Sequence, residues 1–306
     1  MNDIYFYDFD FNLLCIEKNC ISSTWSLKYD DVGTFEAVFP VESDAVKTVL
    51  KNDYVIAVQG VNQAIVTGKI ISKKATIYGK TLNWILTKRI VAPKTFNADG
   101  SAMVKDIIDE AFSDVENFVA EEMSGIGDVN LELKSHTTAL DAVKRCLDPL
   151  NFGHRVYADI VNKKWIFGII TQNDTDIIMS EDLKNVYNVE YADDMQNLFT
   201  DGVYVDENKA SRTITSGKEG IYRWECLLEG ETEDDAKDEL SKKKRKAESR
   251  AMTRDFEYPG AFKLGDKVKV RKSCAGFERL TDVYIYGVNL WYDTKVYGSE
   301  PVFKEL

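Results

Sequence analysis

The chain has 306 residues, of which 44% are hydrophobic, 29% are charged and only 5 are proline. That length suggests about two domains, and the composition excludes collagen-like, Pro-rich and intrinsically disordered classes. With 51 acidic against 39 basic residues the formal charge is −12, which argues against specific nucleic-acid binding as the main task, because phosphates are gripped by Lys and Arg.

Five cysteines (Cys15, Cys20, Cys146, Cys226, Cys274) include no C-x-x-C pair, so neither a disulfide framework nor a zinc ribbon is indicated, and they are expected to be reduced and mostly buried. Met1 to Phe11 alternates aromatic and acidic residues where a secretory signal needs a basic start and an apolar run. No apolar run reaches the roughly 18 residues of a membrane span. The expectation is a protein made and folded in a cytoplasm without a membrane anchor.

From Ile4 to about Ala92 the hydropathy has period two, broken by turn residues, as in Thr34–Phe39, Tyr54–Val58 and Ala64–Ile71 with Gly68 inside it. This predicts a small barrel or sandwich. Two helical excursions interrupt it, at Ser43–Leu50, with Ala45, Val46, Val49 and Leu50 on one face, and at Leu82, Ile85 and Leu86. After Pro93 the pattern turns helical: Val104, Ile107, Ile108, Ala111, Phe112, Val115 and Val119 trace one stripe, with Ser101 as the expected cap. A second helix is predicted from Thr138, with Asp141 three residues on as in a capping box, Leu140, Val143 and Leu147 inward, and a stop before Pro149. Strands follow at Arg155–Val161 and Trp165–Thr171. From about Asn197 period two returns at Gly202–Val205, Arg223–Leu228, Lys267–Val270 and Asp282–Tyr292. Thr232–Arg250 starts acidic and ends basic, which predicts one long surface helix with a narrow stripe of Ala236, Leu240, Ala247 and Ala251. The order β, then α/β, then β suggests two related barrels flanking an insertion.

Catalytic spacing is scarce. His136 and His154 stand in no metal motif and are expected at surface or turn positions, and Cys146 with His154 lacks a third orienting group. Gly125-Ile126-Gly127 has no preceding strand and reads as a flexible turn. Ser241 with Lys244 matches S-x-x-K only within a Lys-rich surface helix. The run Lys242–Lys246 is flanked by Asp238, Glu239 and Glu248, so it reads as helix-end electrostatics rather than a phosphate site. Strand aromatics such as Trp25, Tyr29, Tyr284, Tyr286, Trp291 and Tyr292 fit cross-strand packing before carbohydrate stacking. No catalytic, cofactor-binding or metal-binding residue is assigned, no cofactor is expected, and the protein is expected not to be an enzyme.

The segment Thr24-Trp25-Ser26-Leu27-Lys28-Tyr29-Asp30-Asp31-Val32-Gly33-Thr34-Phe35-Glu36-Ala37-Val38-Phe39-Pro40 resembles the opening of the tail-hub proteins of tailed phages and contractile phage-tail-like particles. Gly79-Lys80-Thr81-Leu82-Asn83-Trp84-Ile85-Leu86-Thr87-Lys88-Arg89-Ile90 is similar to the family's next motif, in the right order. Met179–Val186, with Tyr191 and Asn197 after it, resembles the passage from the middle domain into the second barrel, and Leu264-Gly265-Asp266-Lys267-Val268 resembles the turn before a late strand of that barrel.

This resemblance implies an α+β, mostly β chain with two small β-barrel domains, an intervening α/β domain and a long surface helix. The boundaries expected are residues 1–95 for the first barrel hub domain, 96–196 for the α/β middle domain, and 197–306 for the second barrel with a helical insertion at 232–251. The implied function is a structural baseplate or tail hub, a homotrimeric ring that adapts a sixfold tail tube to a threefold spike or tip in a phage tail or tailocin. Two similar barrels in each of three chains present six similar units. Implied partners are the tail tube or distal tail ring protein, the central spike protein and the tape-measure protein, with no specific nucleic acid and no membrane. Its place would be the virion or particle baseplate, assembled in the bacterial cytoplasm. Relatives with lytic activity carry a carboxy-terminal extension, and the end at Leu306, about ten residues past the last predicted strand, favours a separate spike and a contractile particle. The alternative functions are a cell-wall hydrolase or a carbohydrate-binding module of a tail tip.

Overall fold

Alternation of inward apolar and outward polar residues produces most of the elements, and the computed structural model describes residues 3–194, 196, 198–215, 217–230, 232–243, 246–253, 258–274, 277–293 and 297–306. They fall into two compact units, one made of Met1–Val189, Arg250–Lys304 and Leu306, the other of Glu190–Ser249 and Glu305. In chain order the strands and helices are β1 (Ile4–Asp8), β2 (Leu13–Glu17), β3 (Ser22–Lys28), β4 (Thr34–Phe39), α1 (Asp44–Lys51), β5 (Val55–Gln59), β6 (Asn62–Ile71) and β7 (Ala75–Thr81). There follow β8 (Ile90–Val91), β9 (Lys94–Asp99), α2 (Gly100–Ala111), β10 (Phe118–Ala120), β11 (Asp128–Leu133), β12 (Thr137–Thr138), α3 (Ala139–Leu147), β13 (Gly153–Asp159) and β14 (Lys164–Ile170). The remainder comprises β15 (Asn173–Ser180), β16 (Val186–Asp194), β17 (Asp201–Val205), β18 (Ser211–Ile214), β19 (Glu225–Leu227), α4 (Glu233–Lys242), β20 (Lys246–Thr253), β21 (Asp266–Cys274), β22 (Phe277–Asp293) and β23 (Tyr297–Glu305). The mostly β, α+β class is as expected. No helix among the described residues is long and apolar enough to cross a membrane.

A 13-stranded sheet runs β16-β20-β23-β22-β3-β4-β7-β6-β5-β1-β2, with β21 on β22 and β15 on β21, and no ring of strands closes among the described residues. The long β22 carries the order: its first half pairs with β21 and its second half with β3, Leu290 opposite Trp25. The sheet wraps one apolar core that includes Phe6, Trp25, Phe35, Phe39, Ile77, Ile285 and Phe303. A second core lies among α2, α3, β13 and β14, with Val104, Ile107, Val143, Leu147, Trp165 and Phe167. Strand β5 serves both, since Val55 and Ala57 face the first core and Ile56 the second. A strand with apolar burial on both faces reads as a continuous hydrophobic run, as Val55-Ile56-Ala57-Val58 does.

Caps and turns follow the side chains available. Ser43 caps α1, and Thr138 caps α3, its hydroxyl accepting from the Asp141 amide at 3.1 Å and donating to the Asp141 carboxylate at 2.7 Å. Gly68 marks the register shift between β6 and β7, as a strand glycine often does. Three helix expectations need correction. The cap of α2 is Asp99, which accepts from the Ser101 amide at 2.9 Å, so Ser101 is inside the helix. That helix stops at Ala111, because Phe112 stacks on Phe118 at 3.7 Å and turns the chain into β10, which pairs in parallel with β14; Val119 is thus a strand residue. Leu50, expected inward, is exposed on the last turn of α1.

The long helix expected at 232–251 is two elements. It stops at Lys242, and residues 246–253 form β20. Lys, Ala, Glu and Arg each favour a helix by only fractions of a kcal/mol. Strand β20 instead sends Ala251 and Thr253 inward, with the Thr253 and Ser299 hydroxyls 2.5 Å apart, and period-two burial overrides the local preference. Lys244, Arg245 and Asn197 lie outside the described residues.

In the smaller unit β17 pairs antiparallel with β18 and parallel with β19, and α4 covers one face. Its core is Tyr204, Leu228 and Ala236, with Ile214, Cys226 and Leu240 against it. So few apolar groups leave little margin. Leu240→Asp is expected to weaken this unit by about 2 kcal/mol, since it sets a charge against that core. Limited proteolysis should show faster cleavage within residues 200–243, and cleavage at the wild-type rate would count against the packing described.

Candidate functional site

The larger unit contains a joint at which three chain regions meet on one side chain. Tyr29, 2% exposed, sits just past β3. Its amide donates to the Tyr286 carbonyl on β22 at 2.8 Å, and its carbonyl accepts from the His154 amide on β13 at 3.0 Å. The phenol proton is shared between the carbonyls of Asn151 at 2.8 Å and Ile170 at 3.0 Å. Burial pushes its pKa up to about 12, so it stays a donor. The ring meets Tyr284 edge-on at 5.5 Å. Gly153 and Gly265 leave room for it: a Cβ on either would approach the ring to 2.9 or 2.8 Å, and Gly265 also has a φ of +88°, which disfavours any L side chain.

Two amide side chains finish the joint. Strand β13 is the edge of the three-stranded sheet β10-β14-β13, and its outward backbone groups would stay open. Asn83 accepts from the Val156 amide at 2.6 Å and donates to the carbonyls of Asp31 at 3.1 Å and His154 at 3.3 Å. Gln63 accepts from the Ala158 amide at 2.7 Å and donates to its carbonyl at 2.8 Å. Alternate residues of this edge, His154, Val156 and Ala158, are thereby buried and closed to pairing with another strand.

Around Tyr286 charge and ring alternate. The ammonium of Lys304 lies 3.3 Å from the ring centroid and that of Lys28 5.3 Å. Burial and then the Asp30 carboxylate raise the Tyr286 pKa, and burial lowers that of Lys304. Lys144 reaches Asp31 at 3.6 Å.

The sequence-level candidates divide. His136 is exposed, as expected, but His154 is 1% exposed inside β13, because alternation turns it inward beside Phe167 at 6.4 Å. Cys146 sits in the apolar core with its thiol pushed up to about 12 by burial, an environment that opposes thiolate formation. Gly125 and Gly127 have positive φ, as a turn requires. Cys20 is buried like Cys146, whereas Cys15 and Cys226 are only partly so. No group of three or more metal-ligating side chains occurs among the described residues. Tyr29 was visible in the sequence as a strand aromatic and as one residue of the Thr24–Pro40 motif, neither of which marks it as a joint. Asn83 stood inside the Gly79–Ile90 motif with no role of its own, and Gln63 and Lys304 carried no signal, since their partners are backbone groups and rings far away in sequence.

Comparisons with known proteins place this architecture. The model of the family described as Siphovirus ReqiPepy6 Gp37-like protein matches residues 3–224. No curated protein matches the sequence. Among solved structures, the 43 kDa tail protein of prophage MuSo2 from Shewanella oneidensis aligns with a TM-score of 0.64 at 11% identity, over 99% of this chain and 98% of that one. A tail protein from Neisseria meningitidis MC58 aligns at 0.61 and 11% identity, over 99% and 96%. The c3393 protein of E. coli, a type VI secretion component with structural similarity to T4 tail proteins gp27 and gp5, aligns at 0.50 and 12% identity, over 94% and 74%.

Proposed function

The chain belongs to the Siphovirus ReqiPepy6 Gp37-like family of phage tail proteins, and from that premise we propose that it is the hub of the tail tip, a homotrimeric ring adapting the sixfold tube to a threefold spike. A phage tail structural role follows from the family itself. The single observation that carries the finer reading is the end-to-end fold match to tail proteins, 99% of this chain against 98% of the Shewanella one. The c3393 likeness, to a protein similar to both gp27 and gp5, supports a spike as one partner. Tube or distal ring and tape-measure proteins are the others.

The joint at Tyr29 suits this task, because a ring subunit must hold its β regions at a fixed angle while neighbours pull on them. The boundaries at 95 and 196, the two barrels and a place in the virion tail are part of the same proposal. The outer side of a terminal strand such as β2, which pairs with β1 alone among the described strands, offers a pairing surface to a neighbouring protomer. Cross-linking of intact particles followed by mass determination should give a trimer of this chain at the tail tip. A monomer or a hexamer there would overturn the hub reading, and peptidoglycan turnover by the purified protein would overturn the non-enzymatic one.

A further inference from the structure

The larger unit carries a cleft of about 750 Å³ between the end of β3, the β5–β6 turn, β13 and the segment before β21, within the range of sites that enclose a ligand, roughly 300–1,000 Å³. Its charge is opposite to that of the rest of the protein. One residue in six of the chain is acidic, yet the nineteen described residues lining the cleft include no Asp or Glu and three cations, Lys28, Arg155 and Lys263. Concave walls of one sign focus the field onto whatever enters. Neither Lys28, whose ammonium lies 5.3 Å from the Tyr286 ring centroid, nor Lys263 forms an ion pair with a described residue, whereas Arg155 lies over the Tyr157 ring at 5.0 Å and makes one bond of 3.4 Å to Glu121.

The nearby carboxylates are already engaged. Glu121 also accepts from the Tyr157 hydroxyl at 2.7 Å, and the Asp266 carboxylate accepts from the Lys263 amide at 2.8 Å. Asn173, exposed on the wall, accepts from the Thr171 hydroxyl at 3.2 Å and reaches the Asp266 carboxylate at 3.5 Å, which leaves one N–H and one lone pair of its amide, whereas the Asn62 amide is buried and bonded to Tyr292. An amide offers a donor and an acceptor together, the pairing that a peptide backbone presents, while a compact inorganic anion needs donors only.

We infer that this cleft binds an acidic peptide segment of a partner protein, its carboxylates held by Lys28, Arg155 and Lys263 and its backbone met by the remaining capacity of the Asn173 amide. The inference deepens the tail-tip reading by giving one partner contact its chemistry. Its test does not depend on that reading: peptide binding can fail while the particle still shows a trimer, and the reverse.

The experiment is calorimetric titration of the full chain with a capped hexapeptide of alternating Glu and Gly, with the Gln-for-Glu peptide and with inorganic phosphate. The expected result is millimolar or tighter binding of the Glu peptide that weakens as salt rises, at least tenfold weaker in Lys28→Gln/Lys263→Gln, and no measurable heat from the Gln peptide. Melting curves of the double variant matching the wild type show that the fold is kept; if that variant unfolds, Lys263→Gln alone, at an exposed side chain, should weaken binding at least threefold. Absence of binding at 5 mM peptide, equal binding of the Gln peptide, equal affinity in the Lys variants, or phosphate binding as tightly as the peptide would each overturn the inference.

Discussion

Replacing Tyr29 with alanine is expected to destabilise the larger unit by about 4 kcal/mol, and replacing it with phenylalanine by about 1–2 kcal/mol. The two backbone bonds, to Tyr286 and from His154, survive either change. What alanine removes is a fully buried ring that fills the space left by Gly153 and Gly265 and meets Tyr284. Deleting a buried aromatic side chain costs roughly 3–5 kcal/mol, because the lost transfer energy is joined by a cavity that the walls do not close. Phenylalanine keeps the ring and removes only the hydroxyl, which leaves the Asn151 and Ile170 carbonyls competing for fewer donors. Urea unfolding of the three proteins, followed by tryptophan fluorescence, gives the ranking. Equal stability of wild type and the phenylalanine variant would show that the hydroxyl pins nothing; equal stability of all three would remove the joint itself.

How far the fold was legible depends on whether the signal was local. Strand β4 and the cap of α3 were read to the residue, since Thr34–Phe39 alternates cleanly and Thr138 with Asp141 carries its hydrogen bonds within one turn. Strand β20 was missed because its residues favour helix locally and only the burial of Ala251 and Thr253 in a distant core makes them a strand. Strand β23 was not among the predicted strands: Gly298 and Pro301 interrupt its apolar pattern, yet the glycine is required where the Trp291 ring lies over it, at 2.2 Å from any added Cβ. The joint was the least legible part. Asn83 is an ordinary polar residue in a short 3-10 turn, and its task of closing the edge of β13 appears only when residues 83 and 156 are brought together.

Acidification is expected to weaken the protein through His154 by about 3 kcal/mol between pH 7 and pH 4. Neither ring nitrogen has a hydrogen-bond partner among the described residues. Burial first, and then the nearby Lys144 ammonium, lower its pKa from 6.5 to about 4, and Asp31 offsets them only in part. The unfolded chain therefore takes up the proton near pH 6.5, while the folded chain resists it until about pH 4. A group whose pKa is depressed by folding contributes its full stability above the unfolded value, and the contribution drains away as pH falls towards the folded one. At about 1.4 kcal/mol per unit, that window corresponds to roughly 3 kcal/mol. His154→Leu removes the titration and keeps an apolar side chain beside Phe167, so its stability should fall less steeply over the same range. Carboxylates that titrate near pH 4 are common to both proteins and cancel in the difference. Urea midpoints at pH 7.5, 6, 5 and 4 should thus converge, or cross, as the pH falls. Parallel curves across that range would mean that His154 is charged in the folded state or already neutral in the unfolded one, and the burial argument would fail.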